Sequence, residues 1–76
     1  MWVMKYLDRQ TTYNHKDNYG KYMGIDDNSG GYPWATGFAF TNSVHIWHSL
    51  ENAKRYQQMF PELDIYELTV DLKKVD

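Results

Sequence analysis

The 76-residue chain has no cysteine. Disulfides, thiolate metal sites and thiol nucleophiles are thereby excluded, and packing alone must hold the fold. Proline is scarce too. Pro33 and Pro61 are its two occurrences, so forced breaks in regular structure fall at defined places. Basic runs are missing. Eight Lys and Arg stand against ten Asp and Glu, a net charge of −2, so no phosphate-tracking surface and no direct nucleic-acid partner are expected. The acidic excess is too small to suggest a mimic of DNA. No apolar run reaches the length of a membrane span. Met1-Trp2-Val3-Met4-Lys5-Tyr6 lacks the basic and apolar regions of a signal peptide, so the expected location is the cytoplasm.

What the chain does have is aromatic residues. Three Trp, seven Tyr and three Phe make 17% of the sequence. A chain this short buries only about 60–65% of its unfolded surface, and each large ring can bury roughly 150–250 Å². The aromatics are therefore the natural material for the core of a single domain spanning residues 1–76.

One stretch has a clear helical period. Between Ser49 and Phe60, the residues Leu50, Ala53, Tyr56 and Phe60 share a face. Ser49 is a good N-cap and Glu51 sits at the positive end of the helix dipole. Pro61 closes the segment. The flanking segments read as strands. Trp2 to Leu7 is the first, with Trp2, Met4 and Tyr6 on one face and Val3, Lys5 and Leu7 on the other. Asp8 to Tyr19 is a polar connection. Lys21 to Ile25 is a second strand, with Tyr22 and Gly24 opposite Lys21, Met23 and Ile25. Tyr32 to Phe40 is an aromatic loop with an edge-strand part around Trp34 to Phe38. Val44 to Trp47 is a short strand feeding the helix. Asp64 to Leu72 is the clearest strand, with Tyr66, Leu68, Val70 and Leu72 facing one way and Ile65, Glu67, Thr69 and Asp71 the other. The expected fold is α+β in the order β-β-(β)-β-α-β: a small, mostly antiparallel sheet of three to five strands, with one helix packed on one face. A final strand pairing parallel to the one before the helix would require a right-handed crossover.

No constellation for catalysis or metal binding stands out. Asp26-Asp27-Asn28-Ser29-Gly30-Gly31 begins like a calcium loop, with Gly31 at the sixth position, but Gly37 stands where the bidentate Glu should be. His45 and His48 point to opposite faces if the segment is a strand, so they form no metal pair. Neither has an obvious nucleophile and orienting acid. No metal, cofactor or catalytic residue is expected, and the chain is not expected to be an enzyme. The helix N-terminus at Ser49, with His48 beside it and the aromatic loop above, could form a small anion or nucleotide pocket. Tyr32, Trp34, Phe38 and Phe40 crowd into nine residues of a Gly-rich segment that cannot bury all of them. Exposed Tyr and Trp framed by Gly suit a binding surface. The expected partner contacts are Tyr19, Tyr32 and Trp34, with Tyr22 and His48 behind them.

Three runs carry a resemblance: Lys21-Tyr22-Met23-Gly24-Ile25-Asp26, Gly30-Gly31-Tyr32-Pro33-Trp34-Ala35-Thr36, and Val44-His45-Ile46-Trp47-His48-Ser49-Leu50-Glu51-Asn52-Ala53-Lys54-Arg55-Tyr56. Together they resemble small accessory proteins of bacteriophages and mobile elements. Val44 departs from the pattern, which has a small residue before the Ile-Trp pair. The resemblance implies a class of counter-defence proteins, anti-CRISPR proteins among them, that block a host component or sequester a nucleotide signal. It carries over no catalytic residue. The leading expectation is a non-enzymatic inhibitor acting on a host protein by direct contact. The alternatives are a nucleotide-sequestering sponge and a self-associating structural or assembly protein. The sequence leaves the oligomeric state open.

Overall fold

A computed structural model of the chain describes residues 1–25 and 30–69. It contains one antiparallel four-stranded sheet with a helix against it, a small α+β fold. The strands are β1 (Trp2–Tyr6), β2 (Tyr22–Ile25), β3 (Pro33–Gly37) and β4 (Leu63–Glu67), and the helix α1 is Leu50–Met59. A short 3-10 turn, Lys16–Asn18, precedes β2. The sheet order is β3-β2-β1-β4, so β1 is central and β3 and β4 are the edges.

Strand alternation makes the two faces. Met4 and Tyr6 of β1, Met23 of β2 and Leu63 of β4 are buried beneath Ala53 of α1. Ile25, Ala35, Trp47, Tyr56, Phe60 and Ile65 surround them. Ala53 has no exposed surface, and its small side chain lets the helix approach the sheet closely. The helix begins where the sequence suggests: the Ser49 hydroxyl oxygen accepts from Asn52 N–H at 3.3 Å. It ends at Phe60, whose N–H reaches the carbonyls of Tyr56 and Gln57 at 3.2 and 3.1 Å. Arg55 and Glu51 form an exposed pair at 2.6 Å, worth at most a few tenths of a kcal/mol.

The long connection between β1 and β2 is held by Asn14, which is buried. Its side-chain amide donates to Leu7 O at 2.7 Å and to Arg9 O at 3.2 Å, and its backbone N–H donates to Thr11 Oγ1 at 3.1 Å. A polar segment thereby gains a fixed path across the end of the sheet.

Two strand expectations change. Val44 to Trp47 forms no ladder strand. β1 and β2 pair through Lys5 and Tyr22 and then diverge. His45 N–H donates to Met23 O at 3.0 Å, while Trp47 and Trp2 exchange both backbone bonds at 2.7 and 2.9 Å. The segment is thus a wedge in the fork between the two strands. It satisfies backbone groups that the diverging strands would otherwise leave unpaired. The closing strand also differs. It spans Leu63–Glu67 and pairs antiparallel with β1, from Trp2 opposite Glu67 to Tyr6 opposite Leu63, so no parallel crossover arises. Its core face is Leu63 and Ile65, whereas Tyr66 is exposed on the other side. The turn after α1 sets this phase, because Leu63 N–H donates to Phe60 O at 3.2 Å and holds Leu63 under the helix. Val70, Asp71 and Leu72 of the expected strand lie outside the described residues.

Candidate binding surface

Among the described residues, no second helix or sheet covers the face turned away from α1, although Val3 and Gly24 on it are buried. β1 contributes Val3 and Lys5, β2 contributes Tyr22 and Gly24, β3 contributes Trp34 and Thr36, and β4 contributes Asp64 and Tyr66. After β3, the chain folds back along this face. Phe40 meets Tyr22 edge-to-face at 5.7 Å, and Ser43 crosses over Gly24. Gly24 allows that crossing: a Cβ there would run into the Ser43 carbonyl oxygen and lie 2.9 Å from the Thr36 methyl and 3.1 Å from the Trp34 indole nitrogen.

Lysines are interleaved with these rings. The Lys5 ammonium lies 4.6 Å from the Tyr22 ring centre and 5.5 Å from that of Tyr66. Lys21 lies 5.5 Å from the Phe38 ring centre. Such contacts are each worth about 0.5–1 kcal/mol at exposed sites. Tyr66, Lys5, Tyr22 and Phe40 form one continuous series, and Phe38 and Lys21 make a separate ring–cation pair where β3 ends and β2 begins. Phe38 is 71% exposed, Phe40 and Tyr66 are each 48% exposed, and Trp34 is 40% exposed. Among them Trp34, Phe40 and Tyr66 leave a large share of their surface in water on the outer face.

The expected contact residues divide. Tyr22 and Trp34 share the outer face. Tyr32 turns the other way, with its ring 5.8 Å from Phe60 at the helix C-terminus. The glycine turn before it makes this possible: Gly31, at φ +88°, offers its carbonyl to the Tyr56 hydroxyl at 2.7 Å. Tyr19 is half-buried, and its hydroxyl approaches the Gln10 side-chain oxygen of its own connection at 3.5 Å. His48 is exposed just before the helix cap. The five residues therefore do not form one patch.

Of the aromatic loop, Tyr32 meets the C-terminal end of α1, not the N-terminal end at Ser49 where an anion pocket was expected. There it borders a cleft of about 170 Å³ lined by Gly30, Gly31, Tyr32, Met59 and Phe60. A larger hollow of about 320 Å³ is bounded by the consecutive residues Gln10 to Lys16, with no residue from a second element. Among the described residues, no group of three or more His, Cys, Asp or Glu could hold a metal ion. Asp26 to Ser29, which open the calcium-like run, lie outside the described residues. His45 packs 4.5 Å from Trp47, and burial, then the neighbouring His48 charge, holds its pKa below the usual 6.5. No described helix is long and apolar enough to cross a membrane.

Sequence reasoning missed Lys5, Lys21 and Tyr66. Their alternation is readable, but their association depends on strand order, which places β1 between β2 and β4. Compared with protein-family models, curated proteins and solved structures, the chain finds no match.

Proposed function

We propose that this is a non-catalytic binding protein that engages a protein partner through the outer face of its sheet. The observation that carries the reading is the group of exposed rings, Trp34, Phe40 and Tyr66 beside half-buried Tyr22, on one side of a sheet whose other side makes the core, with exposed Phe38 next to them in the chain. Large, stiff aromatic side chains give contact area at low entropic cost, which is why they dominate the energetic centres of interfaces. The resemblance to phage accessory proteins suggests the setting, a host component that the protein blocks.

Paired baits test the reading. The protein and its Phe38→Ala and Trp34→Ala variants are immobilised, and the affinity of any partner retained from host lysate is then measured with purified material. Each variant should keep its circular dichroism spectrum and lose about tenfold or more in affinity. Unchanged affinity in folded variants would remove the outer face from the interface.

The nucleotide-sponge reading gains less support. The cleft beside Tyr32 is smaller than the roughly 300 Å³ at which small-molecule sites begin, and the hollow of about 320 Å³ is lined by Gln10 to Lys16 of one connection alone. A thermal shift across a nucleotide panel would revive it, because ligand at about 100 times its dissociation constant adds about 2.7 kcal/mol. Self-association, the third alternative, would show as concentration-dependent oligomerisation without ligand.

A further inference from the structure

We infer that the partner surface recognised by the outer face is acidic: a protein segment that sets carboxylates between apolar side chains, so that the carboxylates meet Lys5 and Lys21 while the apolar groups rest on Trp34, Phe38 and Phe40. The inference rests on the outer face being the interface.

Charge complementarity is the starting point. The chain is acidic overall, yet the charges that lie against exposed and half-buried rings are the ammonium groups of Lys5, on the outer face, and of Lys21, beside Phe38. Neither has an ion-pair partner among the described residues. Asp64 is the cross-strand register partner of Lys5, but lies beyond ion-pair distance. Lys5 is held in place by two rings, which lowers the entropic cost of ordering it against an incoming anion. A carboxylate can add a charge-assisted hydrogen bond to an ammonium already in position, without displacing it. The edges of Tyr22 and Phe40 carry the positive rim of the ring quadrupole, which is also compatible with carboxylate oxygens.

The same geometry disfavours single-stranded nucleic acid. Bases stack on open ring faces. Here the ammonium groups of Lys5 and Lys21 lie against the rings of Tyr22 and Phe38, and stacking there would have to push them aside. Two cations on a chain of net charge −2 are also few for a run of phosphates.

The experiment selects binders from a randomised short-peptide display library on the immobilised protein. The synthesised peptides are mapped by backbone amide shifts, with oligothymidylate as a parallel probe. The expected winners alternate Asp or Glu with Leu, Ile, Phe or Trp, and shift resonances of residues 5, 21, 22, 34, 38 and 40. Their affinity should fall about tenfold between low salt and roughly 0.3 M salt. It should fall by a similar factor in Lys21→Gln and in Lys5→Gln. Lys21→Gln keeps the test valid if Lys5→Gln disturbs the fold, because Lys21 lies outside β2. Neutral or basic winners on the outer face would overturn the acidic assignment and leave the binding face standing. Winners that map to α1, or no enrichment over an unrelated protein of similar size, would overturn both. Oligothymidylate binding more tightly than the selected peptides would overturn the assignment in favour of nucleic acid.

Discussion

The two faces of the sheet come from the same strands and are built from similar residue types, yet they do different work. On the helix side, Met4, Met23 and Leu63 are sealed under Ala53 and ringed by Tyr56, Phe60 and Trp47. On the outer side, rings of comparable size stay open to water, and lysines take the place of a second helix. Burial, rather than hydrophobicity, separates them. A ring contributes to stability in proportion to the area it removes from water, and Trp34, Phe40 and Tyr66 keep 40–48% of theirs exposed. What they retain is available to a partner.

The largest test of this contrast is a pair of truncations. Met4→Ala opens a cavity in the sealed face and should cost about 2–5 kcal/mol, lowering the melting midpoint by about 10 °C or more. Phe38→Ala should stay within about 0.5 kcal/mol of wild type. Equal losses by calorimetry would erase the distinction between the faces.

Gly24→Ala asks whether the outer face is itself tightly built where the chain crosses it. The added methyl meets the Ser43 carbonyl and the Thr36 methyl, so a loss of about 1–3 kcal/mol in chemical denaturation is expected, with faster exchange of the His45 amide bonded to Met23. A neutral result would mean that the Thr41–Val44 crossing yields freely.

The helix side should also show itself in alkali. Tyr6 and Tyr56 are both pushed up to about 12, first by burial and next by the Glu62 carboxylate. The folded protein keeps these protons while the unfolded chain releases them near pH 10. Stability is therefore intact below pH 10 and declines as the pH rises toward 12. Tyr6→Phe should flatten that decline in denaturation curves taken across the window, and an unchanged slope would remove Tyr6 from it.

The smallest expected effect lies at the wedge. His45 resists the proton that the unfolded chain accepts near pH 6.5, so stability is full above that pH and falls as the pH drops below it. His45→Gln should level the acid limb of a stability–pH profile. A limb that persists unchanged would assign it to other groups.

Much of the helix-side architecture is legible in the sequence. The period of Leu50, Ala53, Tyr56 and Phe60, the Ser49 cap and the Trp2-Met4-Tyr6 alternation are local features, and local geometry decides them. The phase of β4 is not local. Tyr66 and Leu68 look like its apolar face until the turn at Phe60–Leu63 settles which side meets the helix. Trp34 and Tyr22 are recognisable as surface candidates from their Gly-rich surroundings. Their separation from Tyr32 is not recognisable, because it depends on which way the chain leaves Gly31. Lys5 is the least legible member of the site. Nothing in its neighbours along the chain shows that Tyr22 and Tyr66 will flank it.

The wedge at His45–Trp47 bears on how the chain reaches this structure. The central strand draws its neighbours from Tyr22, from Trp47 and from Leu63–Glu67, so its ladder closes only when distant parts of the chain meet. Hairpins added one after another cannot build such a sheet. The β2–β3 hairpin can form early, but β1 stays half-paired until α1 has brought β4 alongside it. Folding should therefore be a single cooperative event limited by long-range closure, slower than that of a helical bundle of equal length.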